Sequence, residues 1–200
     1  MALSSDARYR LIIATTSNDI GTEVADAIDH TMPQGATITV HAVAVSASHR
    51  GTNPAKQPVP VVYGAVLGDI YTVNNDEGYQ VHKIPSRYVG NLKFHVHWTK
   101  SSDVNEVNKN VRWEVSYNSV NDGEDLNAAP TVLTVEDTYL DSGTTTKIQY
   151  STTSMDIPGA VAGDYLFLKI RAVTPSSNAL SQPPVLLSLD ITYTLYVGEV

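Results

Sequence analysis

"NLKFHVHWT", residues 91–99, puts Leu92, Phe94, Val96 and Trp98 at every second position, with Lys93, His95, His97 and Thr99 between them. Side chains of a β-strand point alternately to opposite faces, so this spacing predicts a strand with one apolar and one polar side. The pattern recurs at Val111, Trp113, Val115 and Tyr117 against Arg112, Glu114 and Ser116. It recurs at Leu166, Leu168, Ile170 and Ala172 against Phe167, Lys169 and Arg171. It returns once more at Leu187, Leu189, Ile191, Tyr193 and Leu195 against Ser188, Asp190, Thr192 and Thr194. Strands with one apolar face bury it by packing two sheets together, and the expectation is a β-sandwich.

From about residue 60 onward the chain reads as strand after strand. "VVYGAVL", "DIYTV", "YQVHKI", "TVLTVED" and "TTKIQYST" join the four already named, separated by turn chemistry such as "NNDEG", "NDGEDLNAAP", "DSG", "IPGAVAGD" and "TPSSN". A parallel sheet needs crossover helices, and no helical period is present here, so the sandwich is antiparallel. Eight or nine such strands suit a jelly roll.

The first fifty residues differ. "RYRLIIATT" and "ATITVHAVAVS" read as strands. Between them, "SNDIGTEVADAIDHTM" reads as a short helix with Ser17 or Asn18 as N-cap and Ile20, Val24, Ala27 and Ile28 at helical spacing. The expected fold is therefore mainly β, an antiparallel jelly-roll β-sandwich over residues 61–200 with a small N-terminal α/β unit over 1–50. Residues 51–60, polar and rich in Gly and Pro, read as a linker or exposed loop.

Composition narrows the function. The 200 residues include no cysteine, which excludes disulfides, thiolate zinc sites and cysteine nucleophiles. No stretch has the apolar length of a membrane span, and "MALSSDARYR" lacks the layout of a secretory signal, so a chain folded in the cytosol and free of membrane is expected. The net charge is −8, with 13 basic side chains scattered among 21 acidic ones. A phosphate backbone is bound by clustered positive charge, and nucleic acid is not an expected partner.

His95 and His97 share one strand face and so raise the question of a metal. "KFHVHWT" resembles the zinc strand of α-class carbonic anhydrases, but in that family a third histidine follows on a later strand. Here the six histidines are His30, His41, His49, His82, His95 and His97, and none follows Trp98. The cupin motif adds a glutamate a few residues on and a further histidine in a second motif; here the first carboxylates after His97 are Asp103 and Glu106, the second motif is absent, and Glu106 or the upstream His82 are the candidates for a third ligand. A catalytic metal needs three protein ligands, and two imidazoles do not suffice. The plainer expectation is a polar sheet face on which His95 and His97 neighbour Arg112 and Glu114 across a hairpin. No metal, cofactor or catalytic residue is expected.

Other constellations point the same way. Phosphate loops, nucleophile elbows and His-Glu helix motifs are absent. The acids of "DGED" and "VED" read as turn residues that bond their own backbone rather than as a glycosidase pair. Trp98, Trp113, Tyr117 and Tyr193 read as core anchors.

The order "FHVHW", "VRWEVSYNSVN", "DTY", "DYLFLKIRAVT", "LLSLDITYTLYVG" over residues 60–200 resembles a recurrent group of tailed-phage structural proteins. That resemblance implies a jelly-roll virion component without enzymatic activity, such as a capsid decoration (cement) protein. It implies the major capsid protein as partner, a homo-oligomer with a trimer favoured, and a place on the capsid surface after synthesis in the host cytoplasm. The alternative is a tail or fibre jelly roll that binds host carbohydrate. Aromatic and acidic side chains on one exposed rim would favour the carbohydrate; a flat apolar patch near residues 1–60 would favour the capsid.

Overall fold

The computed structural model describes residues 12–13, 36–44, 48–50, 56–61, 64–145 and 147–197, with side chains described for 68–145 and 147–196. All regular structure among them is β. The helix expected at residues 17–32 lies outside the described residues.

Eight consecutive stations of the chain build the sandwich. They are β5 (Gly64–Ile70), β6 (Glu77–Lys83), β7 (Tyr88–Lys100), β8 (Lys109–Val120), β9 (Thr131–Tyr139), the paired fragments β10 (Tyr150–Ser151) and β11 (Met155–Asp156), β12 (Tyr165–Val173) and β13 (Pro184–Val197). One sheet runs β5, β13, β7, then β10 and β11; the other runs β6, β12, β8, β9. Successive stations cross from sheet to sheet except at the β8–β9 hairpin, and all of these pairs are antiparallel. That connectivity is a jelly roll, the fold expected from the alternation.

Four further strands extend the two sheets. β1 (Ile12–Ile13) pairs in parallel with β2 (Ala36–Ala44), and β2 runs antiparallel along β13 from Val197 to Leu189. The N-terminal strand is thus hydrogen-bonded into the jelly roll's own sheet. β3 (Ser48–Arg50) adds to β6, and β4 (Lys56–Val61) adds to β5. The stretch 51–60, read as a linker, therefore contributes a strand from Lys56 onward. Pro58 and Pro60 disguise it in the sequence; a proline lacks the ladder N–H but is tolerated on an outermost strand, which β4 is.

The core lies between the sheets and follows the predicted alternation closely. Leu92, Phe94, Val96 and Trp98 from β7 meet Val111, Trp113, Val115 and Tyr117 from β8 and Leu166, Leu168, Ile170 and Ala172 from β12. In β13 the phase differs from the expectation. A bulge between Leu186 and Ser188 adds a residue to β13, so Leu186 joins the core, Leu187 is only half-buried, and regular alternation resumes at Leu189. Gly68 in β5 sits where a Cβ would come within 2.3 Å of Val185 and 3.0 Å of the Leu186 carbonyl, so β5 approaches β13 only because no side chain intervenes.

The polar face of β7 ends at His97. Thr99 and Lys100 are buried, and the turn after β7 and the segment after β9 close over Lys100. Lys100 Nζ donates to the carbonyls of Val104 (2.8 Å), Gly143 and Thr144 (2.9 Å) and stands 5.1 Å from the Tyr139 ring centre. A buried ammonium is held in place by such a full set of acceptors.

Candidate functional site

His95 and His97 occupy the solvent side of β7, their rings 6.1 Å apart. Sequence reasoning set Arg112 and Glu114 beside them across a hairpin, and the structure corrects this. β7 and β8 belong to different sheets, since the chain crosses the sandwich between them. Arg112 instead donates to Thr134 (3.1 Å), and Glu114 accepts from Arg171 Nε (2.7 Å), both on the outer face of the opposite sheet.

The neighbours of His97 come from β13 and β10. Its Nε2 lies 2.8 Å from Asp190 Oδ2, and its Nδ1 lies 2.6 Å from Ser151 Oγ and 3.1 Å from Gln149 Nε2. Asp190 also accepts from Ser188 Oγ at 3.1 Å. Burial alone would raise the Asp190 carboxyl, but the hydrogen bond from His97 holds it below the ordinary carboxylate range. One tautomer satisfies both sides: a proton on Nε2 directed at the carboxylate, and a lone pair on Nδ1 that accepts from the hydroxyl and the amide.

The candidate third ligands for a metal are elsewhere. Glu106 is buried and accepts from the Ser181 N–H at 3.1 Å to each oxygen, from the Ser181 hydroxyl and from Ser102 Oγ (3.2 Å), so it ties the β7–β8 turn to the segment before β13. Asp103 pairs with Lys147 at 2.6 Å, and that hydrogen bond lowers its carboxyl. His82 is on β6, its ring 5.7 Å from that of Tyr193; burial pushes its imidazole down to about 4, and its Nε2 has no hydrogen-bond partner among the described residues. Among the described residues no three His, Asp or Glu side chains converge as metal ligands.

The acidic turns serve as local ties. Glu124 accepts from the Asn121 N–H and Asp125 from the Asn127 N–H, each at 2.8 Å. Glu136 accepts from the N–H and hydroxyl of Ser176, which lower its carboxyl. Asp137 accepts from Trp98 Nε1 at 2.8 Å, so it bridges from β9 in one sheet to β7 in the other. Trp98 further contacts the rings of Tyr139 and Tyr150 with centres 6.2 and 5.6 Å away. Trp113 meets Tyr71 edge-on at 5.7 Å, Tyr117 donates to the Pro158 carbonyl, and burial raises Tyr193 to about 12. All four proposed core anchors are buried.

The outer face of the β6–β12–β8–β9 sheet carries Tyr165 and Phe167 at alternate positions of β12. They are 43% and 36% exposed, with Val81 beside Phe167 and Lys83 Nζ 5.6 Å from the Tyr165 ring centre. The ion pairs Lys169–Glu77 (3.3 Å) and Arg171–Glu114 (2.7 Å) continue the same face. Aromatic and acidic groups therefore share one exposed face, while the side chains of residues 1–60 lie outside those described.

Two groupings escaped sequence reasoning. Ser151, Gln149 and Asp190 converge on His97 from positions 52 to 93 residues distant, which only the sheet order brings together. Lys100 has no side-chain signature in the sequence because its acceptors are backbone carbonyls, and Glu106, considered there only as a metal ligand, serves instead as a structural tie.

No family model matches the chain, and no curated protein matches it. Among solved structures it is similar to the CBM36-1 domain of a multidomain xylanase from the hindgut metagenome of Trinervitermes trinervoides. That likeness has 10% identity, 77% of this chain and 96% of that one, and a TM-score of 0.39. It is also similar to a chain from the infectious bursal disease virus Gx strain, at 9% identity over 84% of this chain and 34% of that one, TM-score 0.39. The xylan-binding module CBM15 aligns at 10% identity over 83% of this chain and 99% of that one, TM-score 0.33.

Proposed function

We propose that this chain is a structural protein of a tailed-phage virion, a capsid decoration protein that binds the assembled head and stabilises it. The observation that supports this reading is where the resembling motifs meet. "HVHW" supplies Trp98, "VRWEV" supplies Trp113, and "DTY" supplies Asp137 and Tyr139; together they make a cross-sheet core rather than a cleft. In the proposed arrangement the N-terminal strands face the major capsid protein and bridge neighbouring subunits. Copies associate as a trimer that covers exposed sheet edges.

The test is to mix the purified chain with undecorated phage heads. Binding in a fixed ratio, with heads that withstand a higher temperature, is the expected result. Absence of binding to shells, with binding to host cells instead, overturns it.

A second reading, a tail or fibre module for host carbohydrate, is favoured by one feature. Tyr165 and Phe167 present two rings on one exposed strand face among paired charges, a chemistry that suits sugar stacking. Replacing both by alanine separates the readings: glycan binding is abolished if the face is a sugar platform, and shell binding persists if it is not.

A further inference from the structure

We propose that Ser151, His97 and Asp190 form a nucleophile, base and orienting carboxylate able to transfer the acyl group of a small, surface-accessible ester. The three are held in line: Ser151 Oγ to His97 Nδ1 at 2.6 Å, and His97 Nε2 to Asp190 Oδ2 at 2.8 Å. Ser151 is exposed, whereas the His97 and Asp190 side chains are 19% and 21% exposed, so the nucleophile faces solvent and its activating groups are partly sheltered. Such relays are recognised by geometry and role rather than by sequence order. Here the imidazole is used with Nδ1 toward the serine.

The ladder explains the short contact. The Thr152 N–H donates to the Val96 carbonyl, so 152 and 96 form a hydrogen-bonded pair and Ser151 opposite His97 a non-bonded one. Side chains of a non-bonded pair stand closest, and the backbone N–H of such a residue points away from its partner strand. No other described strand pairs with β10 on its far side. The Ser151 N–H is therefore directed off the sheet edge, beside the hydroxyl, where a developing oxyanion would form.

Nδ1 takes the Ser151 proton while Oγ bonds to the ester carbonyl carbon, and the carbonyl π pair moves onto its oxygen. Collapse of that adduct breaks the bond to the alkoxy group, which leaves as the alcohol with the proton returned by Nδ1. Water repeats the sequence and releases the acid. Once Nδ1 is protonated it no longer accepts from Gln149, whose amide is released to turn toward the oxyanion. Asp190 acts as a positioning residue: it fixes the tautomer that leaves the Nδ1 lone pair toward Ser151.

The inference stands apart from shell binding, and each can fail alone. The full chain is treated with a fluorophosphonate probe, and labelled peptides are identified by mass spectrometry. Label concentrated on Ser151, with a rate reduced about tenfold or more in His97→Gln, is expected. Label spread evenly over exposed serines, or a folded His97→Gln that reacts as fast as the parent chain, overturns it.

A second measurement decides the matter should His97→Gln fail to fold. In Ser151→Cys, alkylation by iodoacetamide should rise with a midpoint well below the ordinary thiol value of about 8.5, because His97 draws off the thiol proton. Asp190→Asn should move that midpoint back up. A midpoint at the ordinary thiol value overturns the proposal. The charged or titratable groups around this imidazole are Asp190 from β13, with His95 and Lys93 along β7, the latter paired with Asp156 at 3.2 Å.

Discussion

His97 and Trp98 are neighbours in β7 and point to opposite sides of one sheet, and each presents a ring nitrogen to an aspartate 2.8 Å away. For Trp98 the aspartate lies on the other sheet, the ring is fully buried, and two tyrosines pack around it. For His97 the aspartate lies on the next strand of the same sheet, and the opposite ring nitrogen meets an exposed serine. Nearly identical hydrogen bonds thus do different things. The inner one ties two layers together from a fully buried ring; the outer one orients a titratable ring where solvent and a nucleophile both reach it.

Removal of the inner ring should have the gravest consequence for the fold. Trp98→Ala should cost about 4 kcal/mol, the loss of a large buried aromatic with the cavity it leaves, measured by urea denaturation. A loss below about 1 kcal/mol would mean that the Trp98 cluster does not join the sheets.

A second imidazole sharpens the contrast with His97. His82 is buried against Tyr193, and its folded value of about 4 lies below the ordinary value of 6.5. Between these values the unfolded chain binds a proton that the folded chain does not. Stability should thus be constant above pH 6.5 and fall as pH drops toward 4, by about 2 kcal/mol between pH 7 and 5. Denaturation of His82→Phe should show a shallower fall over that window; equal slopes would show that His82 is not the group that titrates.

Asp137→Ala tests the bridge itself. The Trp98 Nε1–H would lose its acceptor while the ring stayed buried, and a cost of about 1.5 kcal/mol is expected in the same denaturation assay. Asp137→Asn, which keeps a carbonyl acceptor, should recover most of it.

The inner half of this comparison was legible in the sequence and the outer half was not. Burial leaves a period of two, so the apolar faces of β7, β8 and β12 could be read directly, and with them the sandwich. The same rule put Leu187 on the inner face, because a bulge shifts the phase without leaving a mark in the residue pattern. Pairing partners are a property of topology. Arg112 and Glu114 follow His97 closely in sequence, yet they lie on the opposite sheet, whereas Ser151 and Asp190 reach it from strands far along the chain. The polar character of His95 and His97 was visible, but their neighbours required the sheet order.

The smallest expected effect is the most discriminating. His97→Ala removes the hydrogen bonds to Asp190, Ser151 and Gln149 on a partly exposed face, where such pairs contribute about 0.2–1 kcal/mol each. Water reaches the exposed Ser151 and partly reaches Asp190, so neither is left as an unpaired buried group, and the total should stay near 1 kcal/mol in denaturation. Asp190→Asn should cost no more, since the amide oxygen in place of Oδ2 still accepts from the imidazole and the amide N–H in place of Oδ1 can donate to the Ser188 hydroxyl. If His97→Ala instead destabilised the chain as much as Trp98→Ala, the outer cluster would be a second structural tie, and the two faces of β7 would have one role rather than two.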